Sequence, residues 1–292
     1  MNERFAMIGD TAPVVAAVTE PGELAEALPT ALLLNAGLVH KVGPGRQTVR
    51  LARRLAERGV RSVRFDRSGI GDSEPRSDNL PWLESSVAEA REVMDHLERE
   101  TGATRFVLVG LCSGAITGLH AAMEDPRVAG LVLINTRGYE ASSDWNQQVM
   151  NRGWARDYWK KSLFRPASWW RALTGRIQYR RLGTVIARQV RGRFGASEEL
   201  KTQSDQIAGM ITGLVDRGTE LLFVHSAGDH AKDFFDVILE SRMDSLRASG
   251  RFESCTVERT DHTFTLLGSQ ERLIDAIDAW YGARDWSGGR HE

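Results

Sequence analysis

Short apolar runs alternate along this chain with longer segments whose apolar positions recur every three or four residues. The short runs lie at 31–35, 62–66, 105–111, 128–134, 220–225 and 252–257. Runs of this length predict strands, and the continuously apolar ones are typical of strands buried on both faces of a sheet. Helical spacing occupies 46–58, 83–100, 232–246 and 270–281. The alternation predicts an α/β fold with a mostly parallel central sheet flanked by helices.

Two regions depart from this alternation. Residues 14–18 form an apolar run ahead of the first βαβ unit, and we interpret it as the edge strand of an N-terminal hairpin. Between residues 139 and 215 the strand pattern is interrupted, and tryptophan and arginine are frequent. We therefore predict a core formed by residues 1–138 and 216–292, with residues 139–215 inserted as a helical cap, or lid.

The predicted strand at 105–111 ends in a turn whose composition suggests chemistry. The turn reads Gly110-Leu111-Cys112-Ser113-Gly114, and a segment of small residues that predicts a helix follows at once. Flanking glycines let strand and helix approach closely, and a strand–turn–helix of this kind presents its central side chain as a nucleophile. That residue is Cys112, and the positive end of the following helix favours its thiolate form.

Two further residues have the placement that a cysteine nucleophile requires. Asp229 lies just past the predicted strand 220–225, and His262 follows the predicted strand 252–257. Parallel strands present their carboxyl ends at one edge of the sheet, where ligands bind. We predict that His262 takes the thiol proton and that Asp229 orients its imidazole.

Each of these assignments has a competitor. Cys112 could be an inert core thiol, and Ser113 could be the nucleophile although it lies one place off the centre of the turn. The competing acids and bases are Asp233, Asp236, His230 and His40. His262 is favoured because it alone follows the last predicted strand.

An oxyanion hole is expected beside the nucleophile. The N–H of Ser113, the residue after the cysteine, should supply one donor. The second should come from Gly37 or Leu38, in the loop after the run at 31–35.

The order nucleophile, acid, base along the chain resembles that of the α/β-hydrolase superfamily, and the resemblance covers nearly the whole sequence. The cysteine turn and the segment Asn35-Ala36-Gly37-Leu38-Val39-His40-Lys41-Val42-Gly43-Pro44 are similar to those of exosortase-associated and serine-aminopeptidase-like hydrolases. The cap rich in tryptophan and arginine is similar to theirs too. The resemblance implies an α/β-hydrolase fold.

The predicted cap is strongly basic. Residues 146–193 contain twelve lysines and arginines and one acidic residue, so the segment carries a net charge of +11 in a chain whose net charge is −1. This charge indicates either an acidic partner or a solvated helical face. We predict that substrate is bound by His40, Trp154, Trp159, Arg180 and Arg181.

Composition restricts the remaining possibilities. A net charge of −1 provides no overall field for nucleic acid. No run approaches the roughly 18 apolar residues of a membrane span, and the first residues lack the apolar stretch of a secretory signal. With two cysteines and no Cys/His cluster, we expect no disulfide framework, no metal, no cofactor and a cytoplasmic location.

We expect an enzyme that takes an acyl group from an ester or thioester onto Cys112 and passes it to water or to another acceptor. A phosphopantetheine carrier protein or CoA would suit the basic cap. One alternative is a small-molecule carboxylester or lactone hydrolase. Another is a non-catalytic scaffold that binds an acidic partner through the cap. The sequence leaves the acyl group and the oligomeric state open.

Overall fold

The computed structural model of the chain describes residues 1–9, 12–136, 198–227, 229 and 231–286. Its strands are β1 (Asn2–Ile8), β2 (Val14–Glu20), β3 (Thr30–Leu34), β4 (Ser62–Phe65), β5 (Phe106–Leu111), β6 (Val128–Ile134), β7 (Glu220–Ser226) and β8 (Phe252–Val257). Its helices, numbered over these residues, are α1 (Gln47–Glu57), α2 (Trp82–Thr101), α3 (Ser113–Glu124), α4 (Glu198–Asp216), α5 (Ala231–Ile238), α6 (Met243–Ala248) and α7 (Leu267–Ala283). A 3₁₀ turn, Pro44–Arg46, precedes α1.

The described strands form one sheet in the order β1-β2-β4-β3-β5-β6-β7-β8. From β4 through β8 neighbouring strands are parallel, whereas β2 is antiparallel to both β1 and β4. The prediction of a mostly parallel sheet is confirmed. The run at 14–18 belongs to an inner strand, so its interpretation as an edge strand was wrong. On this side of the described sheet the edge strand is β1, which hydropathy did not reveal because charged and apolar residues are mixed in it.

Helices cover both faces of the sheet. Side chains alternate between the faces along a strand, so Leu33 and Leu34 point to opposite sides. Leu33 joins a buried cluster with residues of α1 and α7, such as Leu55 and Ile277. On the other face, Gly118 of α3 packs closely against Leu34. The carboxyl ends of β5, β6 and β7 therefore emerge at one edge of a rigid layer, where the turn after β5 begins.

Two boundaries differ from the sequence prediction. The predicted helix 232–246 is two helices, α5 and α6, separated at residues 239–242. Leu239 is buried within this break, so the apolar spacing continues through it and conceals it. At the other boundary, Trp286 lies beyond the predicted helix 270–281, yet it is 3% exposed and its indole N–H donates to the carbonyl of Tyr281 at 2.8 Å.

The chain divides into two compact units. The first comprises Met1–Thr136, Met210–Lys232 and Arg242–Glu292, and it contains the whole sheet. The second comprises Arg137–Gly209 and Asp233–Ser241. Most of the segment predicted as a cap, 139–215, lies outside the described residues, and its role as a lid stays a prediction.

Candidate active site

The turn after β5 holds its central residue in a strained backbone conformation. Cys112 has φ 55° and ψ −112°, and such a sparsely populated conformation costs about 1–3 kcal/mol. Neither flanking glycine could carry a side chain. A Cβ on Gly110 would lie 2.2 Å from the carbonyl carbon of Gly114, and a Cβ on Gly114 would lie 2.6 Å from the backbone oxygen of Asn35. The two glycines thus permit the close approach of strand, helix and neighbouring loop.

Cys112 connects the sheet to α3. Its N–H donates to the carbonyl of Ile134 at 2.9 Å, so its backbone still pairs with β6. Helix α3 begins at the next residue, Ser113. A helix has no earlier carbonyl for its first N–H groups, so the N–H of Ser113 is available beside the half-buried cysteine. This is the first of the two predicted oxyanion donors.

His262 hydrogen-bonds both of its predicted partners. Its Nδ1 contacts Oδ2 of Asp229, and the side chain of Cys112 also hydrogen-bonds to the imidazole. Because Nδ1 faces Asp229, Nε2 is the nitrogen that remains for a proton from sulfur. Asp229 is 8% exposed, and its Oδ1 accepts the N–H of Ala231, the first residue of α5, at 2.9 Å. The structure brings together the three residues that the sequence analysis selected for catalysis.

These contacts favour the protonated form of His262. The hydrogen bond with Asp229 raises its pKa most, the one with Cys112 raises it further, and burial opposes both. Together they raise the pKa of His262 from 6.5 to about 9. An imidazolium is therefore favoured beside the sulfur at neutral pH, and a neighbouring cation is what stabilises a reactive thiolate.

The loop that carries His262 is fixed on both sides of the histidine. Asp261 accepts the backbone N–H of Thr265 at 2.8 Å and its hydroxyl at 2.5 Å, and these bonds lower the pKa of Asp261. Phe264 is fully buried in the core and has a positive φ of 55°. An exposed polar contact and a buried aromatic ring thus fix the position of the imidazole.

Asn135 holds the loop of His262, a contact that the sequence analysis did not identify. It follows β6 directly, is fully buried, and has a positive φ of 46°. Its Nδ2 donates to the carbonyl of His262 at 2.7 Å and to Oγ of Ser226 at 3.0 Å, while its Oδ1 accepts the N–H of Ser226 at 2.8 Å. A single side chain therefore ties β6, β7 and the histidine loop together. Its signal in the sequence is a polar residue immediately after a continuous apolar run.

The loop after β3, residues 35–43, is the predicted oxyanion loop, and two side chains fix its path. Asn35 donates through Nδ2 to the carbonyl of Val39 and accepts the backbone N–H of Arg67 through Oδ1, both at 2.9 Å. The guanidinium of Arg67 donates to the carbonyl of Gly37 at 3.2 Å and lies 5.6 Å from the ring centroid of Trp82. The oxyanion loop is thus attached to the loop that follows β4.

A buried ion pair attaches the far end of the same loop. Nζ of Lys41 lies 2.7 Å from Oδ2 of Asp66, and these side chains are 6% and 0% exposed. Asp72 contacts the same ammonium. Burial alone would lower the pKa of Lys41, but the hydrogen bonds with Asp66 and Asp72 raise it overall. At Gly71, φ is 56° and a Cβ would lie 2.3 Å from Oδ2 of Asp66, so only glycine fits beside the pair.

The two candidates for the second oxyanion donor differ in the structure. The N–H of Gly37 donates to Oγ of Ser113 at 2.7 Å, so this donor is already engaged. Among the described contacts, the backbone N–H of Leu38 makes no protein hydrogen bond, and its side chain is 82% exposed. The geometry favours Leu38 over Gly37 as the free amide. Gly37 instead connects the loop of residues 35–43 to the turn that holds Cys112.

Of the residues predicted to bind substrate, the structure describes only His40, and its role stays a prediction. His40 is exposed, and its Nδ1 accepts the N–H of Val42 at 3.4 Å. His225, which the sequence analysis did not consider as a base, is fully buried and stacks on Phe223. Outside the described residues, or with side chains outside them, lie Trp154, Trp159, Arg180, Arg181, His230 and Asp233. Their predicted roles stay predictions.

A small cavity of about 20 Å³ lies below the oxyanion loop. Its walls include His40, Lys41 and Gln47, together with apolar residues of the core, and none of the three catalytic candidates lines it. A volume of this size holds about one water, so the cavity is too small for an acyl substrate. The described residues contain no cluster of metal-ligating side chains. No helix among them is both long enough and apolar enough to cross a bilayer.

Comparison with known proteins identifies the fold of this chain. Residues 30–182 match the family described as alpha/beta hydrolase fold. Curated relatives are RutD proteins of Klebsiella pneumoniae (strain 342) and Klebsiella variicola (strain At-22), named as candidate carbamate hydrolases. Each is 38% identical over 87 residues, which are 29% of this chain and 31% of the relative. The match therefore spans less than a third of those relatives' length.

Solved structures support the same fold over nearly the whole chain. Proline iminopeptidase of Mycobacterium smegmatis has a TM-score of 0.56 at 16% identity, covering 99% of this chain and 100% of its own. An esterase of Pyrococcus furiosus has a TM-score of 0.57 at 11% identity, covering 98% and 91%. A serine hydrolase homologue from Coxiella burnetii has a TM-score of 0.55 at 13% identity, covering 95% and 96%. The predicted α/β-hydrolase fold is confirmed.

Proposed function

This chain belongs to the alpha/beta hydrolase family, and we propose that it is a thiol enzyme that transfers or hydrolyses acyl groups. In this proposal Cys112 is the nucleophile, His262 the general base and acid, and Asp229 the residue that orients the imidazole. The observation that carries the proposal is the position of His262, which hydrogen-bonds both Cys112 and Asp229. Burial of Asp229 and the raised pKa of His262 support it.

The reaction begins with the thiolate of Cys112 and the imidazolium of His262. Sulfur attacks the carbonyl carbon of an ester or thioester, a carbon–sulfur bond forms, and the π electrons move to the carbonyl oxygen. The N–H groups of Ser113 and Leu38 stabilise this oxyanion. When the carbonyl re-forms, the bond to the leaving group breaks and His262 gives it the proton. Water or a second acceptor then loses a proton to His262 and attacks the acyl-cysteine by the same route.

A cysteine nucleophile favours thioester substrates in this proposal. The acyl-enzyme is itself a thioester, so exchange with a thioester substrate is nearly isoenergetic. The basic segment 146–193 supports an acidic or phosphate-bearing carrier of the acyl group, because its net charge of +11 would attract such a partner. CoA and a phosphopantetheine carrier protein both have this chemistry.

A carboxylester or lactone hydrolase is the second candidate. It is supported by solved structures with the same fold that are named an esterase and a serine hydrolase homologue. In this case the acyl-cysteine would be released to water, and the acyl donor would be a small neutral molecule.

Intact mass measured after incubation with acetyl-CoA, a panel of longer acyl-CoA thioesters and p-nitrophenyl acetate tests the triad. We expect an acyl adduct on Cys112, no adduct in Cys112→Ala, and much slower formation in His262→Ala. Cys255 serves as an internal control, because burial raises the pKa of its thiol and it should stay unmodified. Acylation that proceeds equally in wild type and His262→Ala would contradict the triad and favour a non-catalytic scaffold.

Charge reversal in the basic segment tests the class of acyl donor. We expect the double variant Arg180→Glu, Arg181→Glu to bind CoA more weakly while p-nitrophenyl acetate still acylates Cys112. An unchanged CoA affinity would remove the charged carrier from the proposal and leave the small-ester hydrolase.

A further inference from the structure

The side chain of Ser113 lies between the nucleophile turn and the oxyanion loop, and its hydroxyl proton has no protein acceptor among the described contacts. Its Oγ accepts the N–H of Gly37 at 2.7 Å. The N–H of Gly37 is one of the two candidates, with that of Leu38, for the second oxyanion donor. A hydroxyl can accept and donate at once. While Ser113 Oγ accepts the Gly37 N–H, its own O–H can therefore still donate a hydrogen bond.

We propose that the Ser113 hydroxyl is an oxyanion donor of this enzyme, replacing the amide of Gly37. The inference rests on the proposed function, because an oxyanion forms only if Cys112 attacks a carbonyl. Ser113 follows the nucleophile directly, so its backbone N–H and its hydroxyl both belong to the same turn. The Gly37 N–H polarises the hydroxyl by donating to it, and such chains strengthen the terminal hydrogen bond.

The surroundings of Ser113 fix the position of its oxygen. Its Cα belongs to the first turn of α3, and Gly114 beside it is in close contact with the backbone of Asn35. On the other side, the carbonyl of Gly37 is held by the guanidinium of Arg67 at 3.2 Å. The hydroxyl is therefore preorganised by two backbones that cannot easily separate, which is what electrostatic stabilisation of a transition state requires.

In the step concerned, sulfur of Cys112 adds to the carbonyl carbon and the π electron pair moves to oxygen. Ser113 Oγ–H donates a hydrogen bond to that oxygen and keeps its proton. Collapse of the intermediate returns the electron pair to the carbonyl and expels the leaving group. The serine is neither acylated nor deprotonated, so its role differs from that of the alternative nucleophile considered in the sequence analysis.

A reversible carbonyl probe can test this without a known substrate. Hexanal forms a hemithioacetal whose oxygen occupies the oxyanion position, and it protects Cys112 from alkylation. We expect the protection constant to weaken roughly 10²-fold in Ser113→Ala, the size of losing one oxyanion donor. Alkylation by iodoacetamide, which forms no oxyanion, should keep its wild-type rate. Ser113→Thr retains a hydroxyl and should restore most of the protection.

The controls separate this inference from the proposed function. Ser85→Ala removes a half-buried hydroxyl near the start of α2, which donates to Trp82 at 3.0 Å, and should change neither measurement. Unchanged or stronger protection in Ser113→Ala would overturn the inference, because it would show that the freed Gly37 amide suffices. Slower alkylation in Ser113→Ala would also overturn it, since the serine would then act by placing Cys112. Failure of the triad itself would appear instead as equal alkylation of wild type and His262→Ala.

Discussion

Two loops meet beside Cys112, and different contacts hold each of them inside the fold. Inside the fold, the loop of His262 is held by the neutral amide of Asn135 and the buried ring of Phe264, and the carboxylate of Asp261 holds it only on its exposed side. The oxyanion loop is held by charges, through the ion pair of Lys41 with Asp66 and the guanidinium of Arg67.

The difference suits the task of each loop in the proposed mechanism. A histidine that gains and loses a proton is best held by neutral groups, since they leave its charge balance with Asp229 and Cys112 undisturbed. An oxyanion loop faces developing negative charge, and the guanidinium of Arg67 at the carbonyl of Gly37 favours that charge. The ammonium of Lys41 is neutralised by Asp66 and Asp72 and serves to hold the loop. We call the Lys41–Asp66 ion pair the ionic anchor and the side chain of Asn135 the neutral anchor. Removing one of these contacts at a time should therefore impair different properties of the enzyme.

The largest effect is expected from breaking the ionic anchor. Lys41→Met leaves the carboxylate of Asp66 buried without its cation, and removing one partner of a buried pair typically costs about 3–5 kcal/mol. We expect the free energy of unfolding in urea to fall by that amount. Arg54→Met is the matched control, because Arg54 pairs with Asp275 at 2.6 Å where both side chains are exposed. Its loss should cost at most about 1 kcal/mol, and an equal loss in both variants would contradict the burial argument.

Sequence patterns predicted β2 to β8 and the tight turn at Cys112, because these depend on neighbouring residues. A run of apolar side chains, or a glycine two residues to each side of Cys112, is visible within a few adjacent residues of the sequence. The anchors could not be predicted in this way, since their partners are distant in sequence. Asn135 reaches Ser226 and His262 across 91 and 127 residues. Nor does composition show that Gly37 would bond to Ser113, 76 residues away, rather than remain a free donor.

A smaller effect is expected from breaking the neutral anchor. Asn135→Ala removes the acceptor of the buried Ser226 N–H, and a buried unsatisfied donor costs about 1–3 kcal/mol. Because the carbonyl of His262 also loses its donor, we expect slower alkylation of Cys112 at pH 6.5 as well as lower stability. Ser226→Ala is the matched control, since it keeps both backbone contacts of Asn135 and should alkylate at the wild-type rate. A stability loss in Asn135→Ala without any change in alkylation would show that Asn135 does not position the base.

The smallest effect concerns the proton of His262. The folded protein raises the pKa of this histidine from 6.5 to about 9, so the stabilisation from its contacts is complete below pH 6.5 and is lost as the pH rises through about 9. The imidazolium should promote the thiolate over the same range. In His262→Ala, Cys112 loses this neighbouring cation, so a smaller fraction of it should be thiolate at pH 6.5.

A thiolate held by an ion pair is individually less nucleophilic, since nucleophilicity falls as the pKa falls, so the rate advantage is smaller than the gain in thiolate. We expect wild type to react with iodoacetamide about tenfold faster than His262→Ala at pH 6.5, with the difference vanishing above pH 9. Stopped-flow alkylation across this range measures it, and Cys255→Ser in both backgrounds removes the second thiol. If the ratio of the two alkylation rates were the same at every pH, His262 would affect Cys112 only by packing and not through its proton. The contrast between a proton-carrying loop and a charge-binding loop would then no longer hold.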